Sequence, residues 1–238
     1  MDKIFSTESF ANENLIVSDE DIIALYRYKE LLVEWNNKVN LTSILESKEI
    51  FYKHFVDSLL LMQISEINLE GKTMVDVGTG AGFPGLPLAI INKGLKVTLT
   101  DSLKKRLVFL DFVVQELGLE NVDVAWGRAE DLGQNPDYRE QFDISVARAV
   151  SKLPTLLEYT LPFVKQGGYF IAYKGPDYQL ELEESKEALE TLGGRLLSIK
   201  NLKINEMEIE RNILIFEKDK ATPNKYPRKA GTPQKKPL

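Results

Sequence analysis

Two carboxylates and three glycines are spaced so that together they could hold a small hydroxyl-bearing ligand. Asp76 lies in a short apolar run, 73–77, and Gly78, Gly80 and Gly82 follow at every second position. Pro84 then opens a helical pattern. A strand, a tight turn and a helix N-terminus in that order form the part of an α/β sheet where ligands sit. Glycine is required there if a Cβ would block the backbone from a ligand, or if the turn needs φ > 0. Pro84 suits a first helical position, whose amide has no partner inside the helix. Asp101 ends the next apolar run, 96–100, roughly 20 residues beyond the glycines, the spacing at which a carboxylate meets the hydroxyls of a ribose.

The same residues fit two ligands. Gly80-Ala81-Gly82-Phe83-Pro84-Gly85 matches the G-x-G-x-x-G of dinucleotide sites. From Asp76, the run is acid-x-Gly-x-Gly-x-Gly, and it resembles motif I of class I S-adenosylmethionine (SAM) methyltransferases. Both cofactors carry a ribose, so Asp101 does not separate them. An acid, three glycines and a second acid together argue against a bare turn, and the choice of cofactor falls to the rest of the chain.

The elements that must carry these residues alternate along the chain. Strand signals lie at 73–77, 96–100, 122–126, 142–147, 169–174, 195–202 and 212–218, with helix signals at 85–92, 103–117, 153–161 and 179–192. Such alternation means a parallel sheet with right-handed crossovers. Only 203–211 separates the last two strands, too short for a parallel crossover, so they must form an antiparallel hairpin. The expected fold is therefore α/β, the Rossmann-like class I SAM-dependent methyltransferase architecture. It has a seven-stranded, mostly parallel sheet, a terminal antiparallel hairpin and an N-terminal helical extension. A six-stranded, all-parallel dinucleotide fold would not end this way.

The extension is read as 1–68, the core as 69–218 and a basic, proline-rich tail as 219–238. Residues 1–18 show no period. A helix starts at Asp19, capped by Ser18 or Asp19, with Ile22, Ile23, Leu25, Tyr26, Tyr28, Leu31, Leu32 and Trp35 on one broad face. Residues 36–42 read as a turn, and a second helix spans about 47–65. His54 and Asp57, three apart on it, form either a hydrogen-bonded structural pair or a pair that contacts substrate.

Composition narrows the chemistry. The 238 residues contain no cysteine and one histidine, which excludes disulfides, Cys-ligated metals, a cysteine nucleophile and a His-rich metal site. No metal is expected. No apolar run approaches the ~20 residues of a membrane span, and no apolar segment follows a basic start. A cytoplasmic protein without membrane association is expected. The net charge of −6 is uneven: seven basic residues stand against Asp219 in 218–238, so that segment carries +6 and the remainder −12. A basic tail on an acidic body fits either a polyanionic partner or a solvated tail that aids solubility.

In open α/β sheets the site forms at the carboxyl ends of the strands. The third strand ends in Gly127-Arg128-Ala129-Glu130, where a methyltransferase contacts adenine. The fourth ends in Arg148-Ala149-Val150, facing the methyl group and its target. The fifth ends in Lys174-Gly175-Pro176. Arg148 could hold a phosphate or a base edge, or form a surface salt bridge. Methylating a pyrimidine C5 usually needs a cysteine, which is absent. Asn135-Pro136-Asp137-Tyr138 resembles an amino-methyltransferase motif but lies before the fourth strand and lacks its second proline. What remains is an acceptor with a lone pair ready, such as guanine N7, for which positioning and charge carry catalysis.

These residues resemble one family closely, the bacterial rRNA small-subunit methyltransferase G family (RsmG, also called GidB). The likeness runs from Trp35 to the tail. It includes Asn40-Leu41-Thr42, His54 with Asp57-Ser58-Leu59, the whole of 76–85, Asp101-Ser102-Leu103, Lys105-Arg106, Arg128-Ala129-Glu130, Arg148-Ala149-Val150, Lys174-Gly175 and Lys225-Tyr226-Pro227-Arg228-Lys229-Ala230-Gly231-Thr232-Pro233. The resemblance implies SAM-dependent methylation of N7 of guanine 527 in the 530 loop of 16S rRNA, by in-line transfer without a covalent intermediate. The partner would be 16S rRNA within the 30S subunit or an assembly intermediate, and a monomer is expected. By matching position, SAM would be bound at Gly78, Gly80, Gly82, Phe83, Ala129, Glu130 and Arg148, with Asp101 at the ribose. No catalytic base is implied; Arg148, Lys174, His54 and Asp57 are candidates for the substrate side. The tail would meet RNA phosphates. The alternatives are a small-molecule methyltransferase on the same fold and an NAD-binding or non-enzymatic Rossmann protein.

Overall fold

The computed structural model describes residues 2–238; Met1, the first residue of the expected extension, lies outside them. Seven strands form one sheet in the order β3-β2-β1-β4-β5-β7-β6. They are β1 Thr73–Val77, β2 Lys96–Asp101, β3 Val122–Trp126, β4 Phe142–Arg148, β5 Val164–Lys174, β6 Gly194–Ile204 and β7 Ile209–Lys218. β1 to β5 pair in parallel, and β7 runs antiparallel between β5 and β6. A short 3₁₀ turn, Asn205–Met207, joins the hairpin, as the brevity of that connection required.

Alternate residues of each buried strand enter cores on opposite faces. Ile171 and Tyr173 of β5 join the cluster built by the long helix Asp19–Val39 and the helices Gly85–Ile91 and Lys104–Glu116. Phe170 and Ala172 join the cluster beneath the helices Leu153–Thr160 and Lys186–Leu192. The N-terminal helices share the first cluster with the sheet, with Phe5, Phe10, Leu25 and Tyr28 fully or almost fully buried.

The long helix starts where expected: the Ser18 hydroxyl accepts the Asp21 amide at 3.2 Å. It runs further than expected, to Val39, and ends on Asn40 in the left-handed conformation. Asn36, inside the last turn, explains the stop. Its carboxamide oxygen accepts the amides of Leu41 and Thr42 at 2.6 and 2.8 Å, closing the turn over the helix end. Residues 1–18, read as aperiodic, contain a short helix, Thr7–Ala11, capped by Ser6. The second helix is irregular. An α turn, Ser47–Ile50, opens into a π turn, Phe51–Val56, returns to α over Asp57–Leu59 and tightens to 3₁₀ at Leu60–Gln63. The helix expected over 179–192 breaks at Ser185 into two pieces. Pro84 lies one position earlier than expected, as the residue preceding helix Gly85–Ile91.

Candidate functional site

The glycine loop after β1 is tied to its surroundings through the two acids. Asp76 is fully buried, and its Oδ2 accepts the Thr79 hydroxyl at 2.7 Å and the Gly85 amide at 2.8 Å. Its Oδ1 is buried without a partner, and burial pushes its carboxyl up to about 6 despite those bonds. Asp101 is also buried. Its Oδ2 accepts the Gly80 amide at 3.0 Å and Arg106 Nη1 at 3.1 Å, and its Oδ1 accepts the Leu103 amide at 2.8 Å. A carboxylate offers about four lone-pair sites, so three bonds leave room for one more donor.

All three glycines have φ > 0, at +72°, +64° and +105°. The reason for glycine differs among them. At Gly82 a Cβ would lie 2.4 Å from the Tyr28 hydroxyl and 2.8 Å from Leu110. The close approach there is to the protein's own N-terminal helix rather than to a ligand. Tyr28 donates its hydroxyl to the Ala81 carbonyl, clamping the loop from outside the sheet. Phe83 is buried and stacks with Tyr28 at 5.3 Å and with His54 at 4.6 Å.

A cavity of about 270 Å³ opens at the carboxyl ends of β1, β2 and β3. Gly78, Asp101, Ala129 and Glu130 line it, with Arg128 and Tyr159. Gly80, Gly82, Phe83 and Arg148 are not among the residues that line this cavity. Gly231 and Gln234, from the far C-terminal segment, complete its wall. The Tyr159 phenol is pushed up to about 12 by burial, then by the carboxylates of Glu130 and Glu158.

A second cavity of about 410 Å³ adjoins the first, and Ala149 lines both. Ala149 has φ +57°, a left-handed conformation that costs an L-residue about 1 kcal/mol or more, at the point where the two cavities meet. His54, Asp57, Arg148 and Lys174 all line this second cavity, although they come from the N-terminal extension, β4 and β5. Arg211, from β7, joins them without having been singled out by the sequence.

The expected pairing of His54 with Asp57 does not form. Asp57, 1% exposed, accepts Arg148 Nη1 and Arg211 Nε, each at 2.6 Å. Each of its oxygens is engaged by a guanidinium group, so it holds the two arginines in place. His54 instead approaches the Thr42 hydroxyl through Nε2 at 2.9 Å and stacks on Phe83, while its Nδ1 is buried without a partner. Burial, then the Arg148 charge, depresses the imidazole to about 3, so it is neutral at physiological pH. The Arg148 guanidinium lies 5.3 Å from the Phe83 ring centre. Lys174 donates to Glu181 at 2.6 Å and to the Ser151 carbonyl at 3.1 Å.

The basic tail is docked, not solvated. Arg228 donates through its amide and guanidinium to Glu158, a fully buried carboxylate, at 2.5–3.0 Å. Lys218, the last residue of β7 and also fully buried, donates to the Leu161 carbonyl and to the hydroxyl of Thr222 in the tail at 2.7 Å each. These two cations are therefore committed to structure, and burial lowers Lys218 to about 8. Lys220, Lys225, Lys229, Lys235 and Lys236 remain exposed.

The strand order and the glycine loop after β1 define the class I SAM-dependent methyltransferase fold. Among solved structures, the chain is similar to M. jannaschii TYW2 in complex with AdoMet (TM-score 0.54, 18% identity, covering 74% of this chain and 79% of that one). It is also similar to MtNAS, solved as a point mutant (TM-score 0.55, 16% identity, 92% and 80%). At the sequence level, residues 21–214 match the GidB family, rRNA small subunit methyltransferase G. The curated ribosomal RNA small subunit methyltransferase G of Alkaliphilus metalliredigens (strain QYMF) is 51% identical over 222 residues, 93% of this chain and 92% of that protein. That of Lactobacillus acidophilus is 48% identical over 229 residues, 96% and 95%. The chain belongs to the rRNA small subunit methyltransferase G family.

Proposed function

We propose that this protein methylates N7 of guanine 527 in the 530 loop of 16S rRNA, using SAM and acting on the 30S subunit or an assembly intermediate in the cytoplasm. The observation that carries this reading is the pair of cavities that meet at Ala149, one lined by the acid and glycine set of a nucleoside site, the other by cations. The first fits SAM: Asp101 retains a free lone-pair site for a ribose hydroxyl, and Gly78, Ala129 and Glu130 would hold the rest. SAM supplies an activated methyl group when bound.

The second cavity supports an acceptor that needs no deprotonation. His54 is a poor base, depressed to about 3, and both Asp57 oxygens are held by arginines. Guanine N7 already bears its lone pair. Arg148, fixed by Asp57, is placed to donate to a base edge or a phosphate, so its contribution is orientation of the acceptor. An amine or carbon acceptor would ask these residues for a base that they do not supply.

The test is to incubate the protein with methyl-labelled SAM and 30S subunits from a strain lacking this gene, then digest and identify the labelled nucleoside by mass spectrometry. Label as 7-methylguanosine in the 530-loop fragment is expected. SAM binding without label in 30S or free 16S rRNA would overturn the acceptor and point to a small molecule.

A further inference from the structure

None of the residues lining the second cavity comes from the C-terminal segment, although an arm that served RNA alone would concentrate there. Instead the segment is fastened along the rim of the first cavity. Arg139 donates to the carbonyls of Thr222 and Tyr226 at 2.7 Å each. Gln134 donates to the Pro227 carbonyl at 2.9 Å. The Arg228–Glu158 ion pair follows, with a carboxylate that has no exposure at all. Beyond it the Gly231 amide donates to Glu130 Oε1 at 2.8 Å, and the Thr155 hydroxyl donates to the carbonyl of buried Pro233 at 3.2 Å. Burying Glu158 is costly unless it is paired, so the seating of the segment is built into the fold.

The anchors fix the position of Gln234. It sits on the turn Thr232–Lys235, is exposed at the surface, and lines the cavity with Ala129, Glu130 and Tyr159. A carboxamide presents one acceptor and one donor side by side, the pattern that complements the exocyclic amine and N7 of adenine. Glu130 cannot serve fully in that role, because a carboxylate offers acceptors and no donor for the ring nitrogen.

We infer that Gln234 reads the adenine edge of the bound cofactor, and that the C-terminal segment is a wall of the cofactor site. The inference rests on the reading of the first cavity as a SAM site. Lys220, Lys225, Lys229, Lys235 and Lys236 of the same segment stay exposed and can meet phosphates.

Calorimetric titration of the full-length protein tests it, with S-adenosylhomocysteine and S-inosylhomocysteine as ligands. The second carries a carbonyl where adenine has its amine, so beside N7 it presents two acceptors, and a carboxamide can meet only one of them whichever way it is turned. Gln234→Ala is expected to raise the Kd for S-adenosylhomocysteine about three- to tenfold, the worth of one or two hydrogen bonds. It should also erase most of the preference for the adenine ligand over the inosine ligand, a change that loosening of the segment alone would not produce. Gln234→Ala with unchanged Kd and unchanged preference would overturn the inference, including where methylation of 30S subunits falls, since the segment would then serve RNA alone. Failure of the wild-type protein to bind either ligand would instead overturn the SAM site itself.

Discussion

Gly82 can be used to test whether the glycine loop after β1 is shaped by the N-terminal extension. In Gly82→Ala the new Cβ would lie 2.4 Å from the Tyr28 hydroxyl and 2.8 Å from a Leu110 methyl, at φ +105°. The backbone conformation costs about 1–2 kcal/mol for an L-residue, and overpacking in a filled core adds about 1–3 kcal/mol. A loss of about 2–5 kcal/mol is expected from the two together. Tyr28→Phe alone should cost about 1–3 kcal/mol, because it leaves the buried Ala81 carbonyl without its donor. The two losses should not add. Removing the hydroxyl also removes the nearer of the two obstacles, so Gly82→Ala in the Tyr28→Phe background should be milder by about 1–2 kcal/mol. Urea unfolding of the wild type, the two single variants and the double variant, at constant m, measures the cycle. Strict additivity would refute the claim that Gly82 is glycine because of Tyr28, and would return its explanation to backbone strain or to the ligand.

Further predictions concern the acids and the lone histidine. Asp57→Ala leaves Arg148 and Arg211 without their shared carboxylate and is expected to cost about 3 kcal/mol or more in urea unfolding and to abolish most methylation, while the Kd for S-adenosylhomocysteine stays within about twofold. Asp76 has a folded pKa raised from 3.8 to about 6, so the native state binds the extra proton between those values and gains stability as pH falls through that window. The stability of wild type relative to Asp76→Asn, read by urea unfolding, should therefore be higher at about pH 4.5 than at about pH 7. His54 acts in the opposite sense. Its folded pKa of about 3 lies below the ordinary 6.5, so the stability it provides is complete above 6.5 and is lost as pH falls. The protein has one histidine, so a single imidazole signal in a nitrogen-15 NMR titration reports it; protonation above about pH 5 in the folded protein would refute the burial argument.

Local chemistry made much of the fold legible. Period-two and period-3.6 patterns placed all seven strands within a few residues, with β5 extended backwards to Val164. The short 203–211 connection fixed the hairpin. The helix ends were harder, because Asn36 bonds forward across its own helix end and Asn40 adopts a left-handed cap, which a turn-forming composition does not distinguish from an earlier stop. The π turn Phe51–Val56 had no sequence signal, and it lies on the stretch where His54 and Asp57 take separate partners.

By itself, then, the sequence determined the order of elements and the identity of the acids and glycines after β1 and β2, because these depend on neighbours in the chain. It also determined which chemistries are absent, through the lack of cysteine and the single histidine. Only the tertiary structure decided which charges are free to act. Arg228 in the basic tail and Lys218 just before it look like RNA-binding cations, yet each is committed to buried oxygen atoms supplied by distant elements. Tyr28, Arg211 and Gln234 gained their places from elements distant in sequence, the first from a helix that reads as ordinary core packing. The physical reason is that burying a charge demands a partner wherever the fold can supply one, and that partner is set by packing rather than by spacing along the chain.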